Sequence, residues 1–77
     1  LKKYQVIVKL KTNVLDPEGK AIQQAAGRMG YDKIQSIRAG KFFEIEVEDS
    51  AGENDIKEIA EKILVNPVIE TYEIKEA

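Results

Sequence analysis

A two-layer α+β fold with the element order β-α-β-β-α-β follows from three features of this 77-residue chain. Apolar and polar residues alternate near both ends and through a long central stretch, as they do in strands with one buried face. Two other runs repeat their apolar residues at helical spacing. Gly, Pro and Asn punctuate the joins between them.

The first strand is KYQVIVKLK, residues 3–11. Tyr4, Val6, Val8 and Leu10 point one way and Lys3, Gln5, Lys9 and Lys11 the other, with Ile7 an apolar exception in the polar set. The first helix begins at Asp16-Pro17-Glu18. Asp16 can accept orphan backbone N–H groups, Pro17 has no N–H to lose at the first helical position, and Glu18 sits near the positive end of the helix dipole. Ile22, Ala25, Ala26 and Met29 then recur at helical spacing, and Gly30 supplies a left-handed stop.

The run KIQSIRAGKFFEIEVED, residues 33–49, is β-rich throughout. Phe43, Ile45 and Val47 alternate with Glu44, Glu46 and Glu48, while Ala39-Gly40 either turns a hairpin or kinks one long strand. SAGEND is a polar break. The second helix carries Ile56, Ile59, Ala60, Ile63 and Leu64, with Glu58 and Lys62 as a favourable i,i+4 pair. Asn66-Pro67 closes it, asparagine tolerating a left-handed cap and proline being unable to continue the helix. VIETYEIK, residues 68–75, is the last strand.

Two helices on one face of a four-stranded antiparallel sheet give a ferredoxin-like sandwich, expected as a single domain over residues 1–77. The other sheet face stays open. Ile7 and Phe42 fall among the polar residues expected there, so that this face or a sheet edge is expected to meet a second copy of the chain.

Composition removes whole classes of function. A chain of this size buries only about 60% of its unfolded surface, so association with other chains is a natural remedy for its thin core. The 12 basic and 14 acidic residues leave a net charge of −2, with no electrostatic footprint for nucleic acid or an anionic membrane. No apolar run is long enough to span a bilayer, and the cytoplasm is the expected location. With no His and no Cys, imidazole bases, thiol nucleophiles, disulfides and the commonest transition-metal sites are gone. Ser36 and Ser50 have no neighbour in sequence able to activate them. No catalytic, cofactor-binding or metal-binding residue is expected.

Three short stretches invite a closer reading. EVEDSAGEND, residues 46–55, is acidic but lacks the ligand alternation and central glycine of a calcium loop, so it reads as a solvated turn. RAGK, residues 38–41, sets Arg38 and Lys41 beside the accessible backbone of Gly40, where a carboxylate or phosphate could dock, or where a hairpin simply has charged shoulders. Gly19, one turn into a helix, costs about 1 kcal/mol against alanine. Either partner backbone approaches there, or the helix packs tightly within its own chain. On the first reading Gly19→Ala should slightly stabilise the isolated protein.

Taken together, VLDPEGKAI, RAGK and LVNPVIETY, in this order and spacing, resemble the PurS family, the small subunit of phosphoribosylformylglycinamidine synthase, over nearly the whole chain. The resemblance implies a part in an ATP-dependent amidotransfer of purine synthesis. A glutaminase subunit would release ammonia, and a large synthetase subunit would bind ATP, Mg²⁺ and formylglycinamide ribonucleotide. The small subunit would carry neither reaction. It would associate with itself as a dimer or tetramer and join the other two. The interface candidates are Asp16, Pro17, Gly19, Arg38, Gly40 and Lys41, together with Ile7, Phe42 and Tyr72. A second reading is a regulatory module that binds a metabolite at a subunit seam. RNA binding through the open face would want aromatic residues and a positive field there, and the three glutamates of FFEIEVE argue against it.

Overall fold

The computed structural model covers residues 1–77. β1 (Lys2–Leu10) is the centre of an antiparallel sheet, with β2 (Gly40–Val47) on one side and β3 (Glu70–Glu76) on the other. The pairing sets Val6 against Phe43 and Ile74, and Val8 against Lys41 and Tyr72. One face therefore collects Tyr4, Val6 and Val8 with Phe43, Ile45, Tyr72 and Ile74. The helices are α1 (Pro17–Arg28) and α2 (Glu53–Ile59), the latter running into a π-helical turn over Ala60–Leu64.

The core lies between that face and α2. Tyr4, Val6, Val8, Ile56, Ala60 and Val65 are buried, and Ile56 and Val6 are fully so. Ile56 and Ala60, four residues apart, face the sheet. In the π-helical turn the Val65 N–H donates to the Ala60 carbonyl, five residues back, at 2.9 Å. Leu64 and Val65 then both reach the core, whereas Ile63 is 76% exposed. The five-residue apolar stripe of the second helix is thus split.

The ferredoxin-like α+β order stands, but the sheet of one chain has three strands rather than four. Strand pairing begins only at Gly40, opposite Lys9, and residues 33–39 join no ladder. Ala39-Gly40 makes no hairpin, because the segment before β2 does not turn back on it. α1 places no side chain in the core cluster; Gly19 is its one buried residue, and Ile22 and Met29 are exposed. Within the chain, α2 alone covers the sheet face.

The resulting shape is long and thin, 50 × 26 × 14 Å, with a radius of gyration of 15.8 Å, against about 11.5 Å for a compact chain of this length.

Two helix ends show the local chemistry expected of them, one with a change. Gly30 takes a positive φ of 96° after α1, the left-handed stop. Asn66 does not adopt the left-handed conformation, since no residue other than glycine has positive φ. Its side-chain oxygen instead accepts the Val68 N–H at 3.1 Å, and its carbonyl accepts from Ile69 and Glu70. It is a turn former through its side chain.

Because Ile56 is completely buried in so small a core, Ile56→Ala should cost about 2–5 kcal/mol and Ile56→Val about 0.5–1.5 kcal/mol. Urea unfolding of the two variants beside the parent chain checks both.

Candidate functional site

Asp16 is where α1 is anchored. It lies at the helix N-cap with extended backbone, and its Oδ1 accepts the Gly19 N–H at 3.0 Å. The other oxygen, Oδ2, accepts the Ala39 N–H at 2.6 Å, from a residue 23 positions away. These two donors, Gly19 before Ala39, hold the Asp16 carboxyl below the ordinary carboxylate range, opposed by burial and helped by the Arg38 charge.

Gly19 completes this junction. A Cβ on Gly19 would overlap the Ile37 carbonyl and lie 2.6 Å from Asp16 Oδ2. The glycine therefore lets the strand-leading segment pass directly against the first turn of α1. Of the two readings of Gly19, internal packing has a visible cause.

Arg38 faces inward in its bonding. Its guanidinium donates to the Val14 carbonyl through Nη1 and to the Lys11 carbonyl through Nη2, each at 3.0 Å. The Lys11 N–H in turn donates to the Ile69 carbonyl at 2.8 Å. Arg38 thus ties residues 11–14 to the segment that enters β2. Gly40 is also needed for close approach, since a Cβ there would sit 2.6 Å from the Val8 carbonyl oxygen. Lys41 reaches across β1 to Glu70 of β3, with Nζ 3.5 Å from Oε2, while Glu70 Oε1 accepts the Asn66 N–H at 2.7 Å. The RAGK stretch is consequently a junction with both cations engaged, not a charged-shouldered hairpin.

Ile7 and Phe42 are direct register partners on the sheet face opposite the core, and Phe42 is 55% exposed. Lys3 and Gln5 of β1, Glu44 and Glu46 of β2, and Glu73 and Lys75 of β3 surround them on that face. A groove of about 510 Å³ runs from this pair toward Arg38, bordered by Lys9, Leu10 and Thr12. Tyr72 lies on the other face, packed against the core, and burial followed by the nearby Glu61 charge raises its pKa. Pro17 occupies the first turn of α1 and is exposed.

Two participants escaped sequence reading. The Ile37 carbonyl, which demands Gly19, is a backbone atom and has no sequence signal. Glu70, which joins Lys41 to Asn66, sits in a strand rich in other carboxylates, and nothing in its spacing separates it from them. No group of three or more His, Cys, Asp or Glu side chains gathers to hold a metal ion. The arrangement offers an open apolar pair beside a braced junction.

Gly19→Ala should destabilise the chain by about 1–3 kcal/mol, since overlap with fixed backbone outweighs the helix-propensity gain; thermal unfolding reads it. For Asp16 the sign follows from its lowered pKa: the folded form binds its proton less readily than the unfolded chain. Its contribution is complete above the ordinary carboxylate range and fades as pH falls through that range toward the lower folded value. Asp16→Asn should lower stability at pH 7 and flatten this acid limb, as followed by urea midpoints between pH 7 and pH 2.5.

Comparison with known proteins bears on what such a surface serves. The family model described as PurS, phosphoribosylformylglycinamidine (FGAM) synthase, matches residues 3–77. The phosphoribosylformylglycinamidine synthase subunit PurS of Bacillus subtilis is 46% identical over 72 residues, covering 91% of this chain and 86% of that protein. A crystal structure of B. subtilis PurS superposes with a TM-score of 0.90 at 42% identity, over 100% of this chain and 99% of the other. A chain from the structure of PurLQS from Thermotoga maritima gives a TM-score of 0.88 at 33% identity, over 99% of this chain and 96% of that one. With the sequence match running from the first strand to the last residue and the fold superposing over its full length, this chain belongs to the PurS family.

Proposed function

We propose that the chain is the small, non-catalytic subunit of phosphoribosylformylglycinamidine synthase in de novo purine biosynthesis. The observation that carries this reading is the family match over residues 3–77; the likeness to a chain of PurLQS supports a place in a complex with a synthetase and a glutaminase. In that complex ATP and Mg²⁺ act in the large synthetase subunit, which activates the amide oxygen of formylglycinamide ribonucleotide by phosphoryl transfer. A cysteine nucleophile in the glutaminase releases ammonia, which displaces the phosphate to give the amidine. This chain joins the two so that ammonia passes between them. It associates with itself and works in the cytoplasm. No helix of the chain is long and apolar enough to cross a membrane.

The physics of the transfer explains why a subunit without chemistry of its own is useful. In neutral water ammonia is mostly protonated and unreactive. Fixing two active sites relative to each other around a water-poor passage keeps the nucleophile neutral and prevents its loss. Ile7 and Phe42, paired on an open face beside the Arg38 groove, supply apolar contact area for such joining. The turn at Asp16-Pro17 and the Arg38–Lys41 junction adjoin it, and their bracing keeps that surface in one shape. A metabolite-binding regulatory role is not favoured by the family match.

Reconstitution with purified synthetase and glutaminase tests the proposal. The chain alone should show no glutaminase, ATPase or amidotransferase activity. Leaving it out should abolish glutamine-dependent synthesis while sparing more of the ammonia-dependent rate, because dissolved ammonia bypasses the transfer route. Replacing Ile7 and Phe42 together by Glu should reduce the glutamine-dependent rate in the same sense. Equal glutamine-dependent rates with and without the chain would overturn the reading.

A further inference from the structure

β3 is an edge of the sheet, and the hydrogen bonds at its two ends fix which way its backbone groups point. The Lys11 N–H donates to the Ile69 carbonyl, and the Ala77 N–H donates to the Lys3 carbonyl. Both pairs continue the register that sets Val8 against Tyr72 and Tyr4 against Glu76. Bonding between antiparallel strands alternates along the ladder. Thr71, Glu73 and Lys75 therefore direct their N–H and carbonyl groups to β1, and Tyr72, Ile74 and Glu76 direct theirs outward. No strand of the chain lies alongside to receive them.

The side chains at this edge are unevenly matched. Tyr72 and Ile74 lie on the core face but are only half-buried at its margin. Beside Tyr72 is a cavity of about 310 Å³, lined by Glu61 of the π-helical turn, Val65, Pro67, Glu70 and Thr71. Its lining holds two carboxylates and no cation. Glu70 is already bonded to Lys41 and to the Asn66 N–H. Glu61 belongs to none of the chain's ion pairs, and its charge reaches the Tyr72 hydroxyl.

We propose that β3 receives an extended segment of a different polypeptide as a further strand, with Lys or Arg opposite Tyr72 entering the Glu61 cavity and an apolar residue opposite Ile74. The outward backbone groups supply affinity and the cavity supplies specificity. Charge complementarity selects this occupant over a second copy. Pairing two β3 edges antiparallel would match outward-directed residues with one another, bringing Glu70, Tyr72, Ile74 or Glu76 to the cavity. Lys75, the one cation of β3, lies on the opposite face with Glu73, where charged side chains oppose unselective pairing along an edge. The source of the segment is one of the two larger subunits, an assignment that rests on the subunit role proposed above.

Short peptides alternating Val and Thr, with one Val replaced by Lys or by Glu, are the probes, titrated into the ¹⁵N-labelled full chain. The Lys peptide should shift the amide signals of Tyr72, Ile74 and Glu76 and slow their exchange with solvent. The Glu peptide should bind about tenfold more weakly or worse, because like charges brought together at an interface are strongly disfavoured. Glu61→Lys, a change at an exposed position, should reverse that preference. Equal binding of the two peptides, or no shift at those three amides, overturns the proposal. So do NOEs that pair β3 with β3 of a second copy. In the reconstituted enzyme, Glu61→Lys should raise the dissociation constant of the chain about tenfold or more. Assembly unchanged by that substitution overturns the assigned source of the strand. A parent chain that fails to assemble overturns the subunit role instead, and the peptide titration still decides the edge.

Discussion

One carboxylate sets the path of the chain. Asp16 accepts the Gly19 N–H inside α1 and the Ala39 N–H at the entrance to β2, so the start of the helix and the approach to the strand are held by the same side chain. A charged acceptor with two backbone donors is among the stronger hydrogen-bonded arrangements available to a carboxylate. Its effect depends on the missing Cβ at Gly19, without which the Ile37 carbonyl could not lie where it does. Arg38 braces the same junction from the other side through the Lys11 and Val14 carbonyls. From this knot α1 and the segment after it lead away from the sheet instead of folding over it.

The consequence is a protein with a sound but small core. Tyr4, Val6 and Val8 of one strand and Ile56 and Ala60 of one helix do most of the burying. Half-covered β2 residues and the exposed stripe of α1 remain in search of apolar partners. When a chain leaves so much apolar surface uncovered, folding and association become linked, and stability depends on protein concentration. Its outer surfaces are left available for contact.

Function and fold meet in the division between braced and open regions. The Lys41–Glu70 pair, the Asn66 turn and the Arg38 bridges fix the backbone around one end of the sheet. Ile7 and Phe42 lie open on the opposite face nearby. A rigid frame beside an apolar patch binds with less loss of conformational freedom than a flexible one.

Much of this was legible in the residues. Alternation in KYQVIVKLK and FFEIEVE placed two strands and their inward faces, and the core positions Tyr4, Val6 and Val8 follow from it. Asp16-Pro17 announced the helix start and Gly30 its stop, because caps and glycine stops are local chemistry decided within a few residues. The three motifs carried the family. The Ile7–Phe42 pair was visible as two exceptions to alternation. Hidden were the Ile37 carbonyl against Gly19, the inward engagement of Arg38, and the side chain by which Asn66 turns the chain. Hydrophobic period states which face of an element seeks cover, a property of neighbours in sequence. It does not state which element supplies that cover, which here turned on a hydrogen bond between residues 23 positions apart and on backbone atoms that no side-chain pattern records.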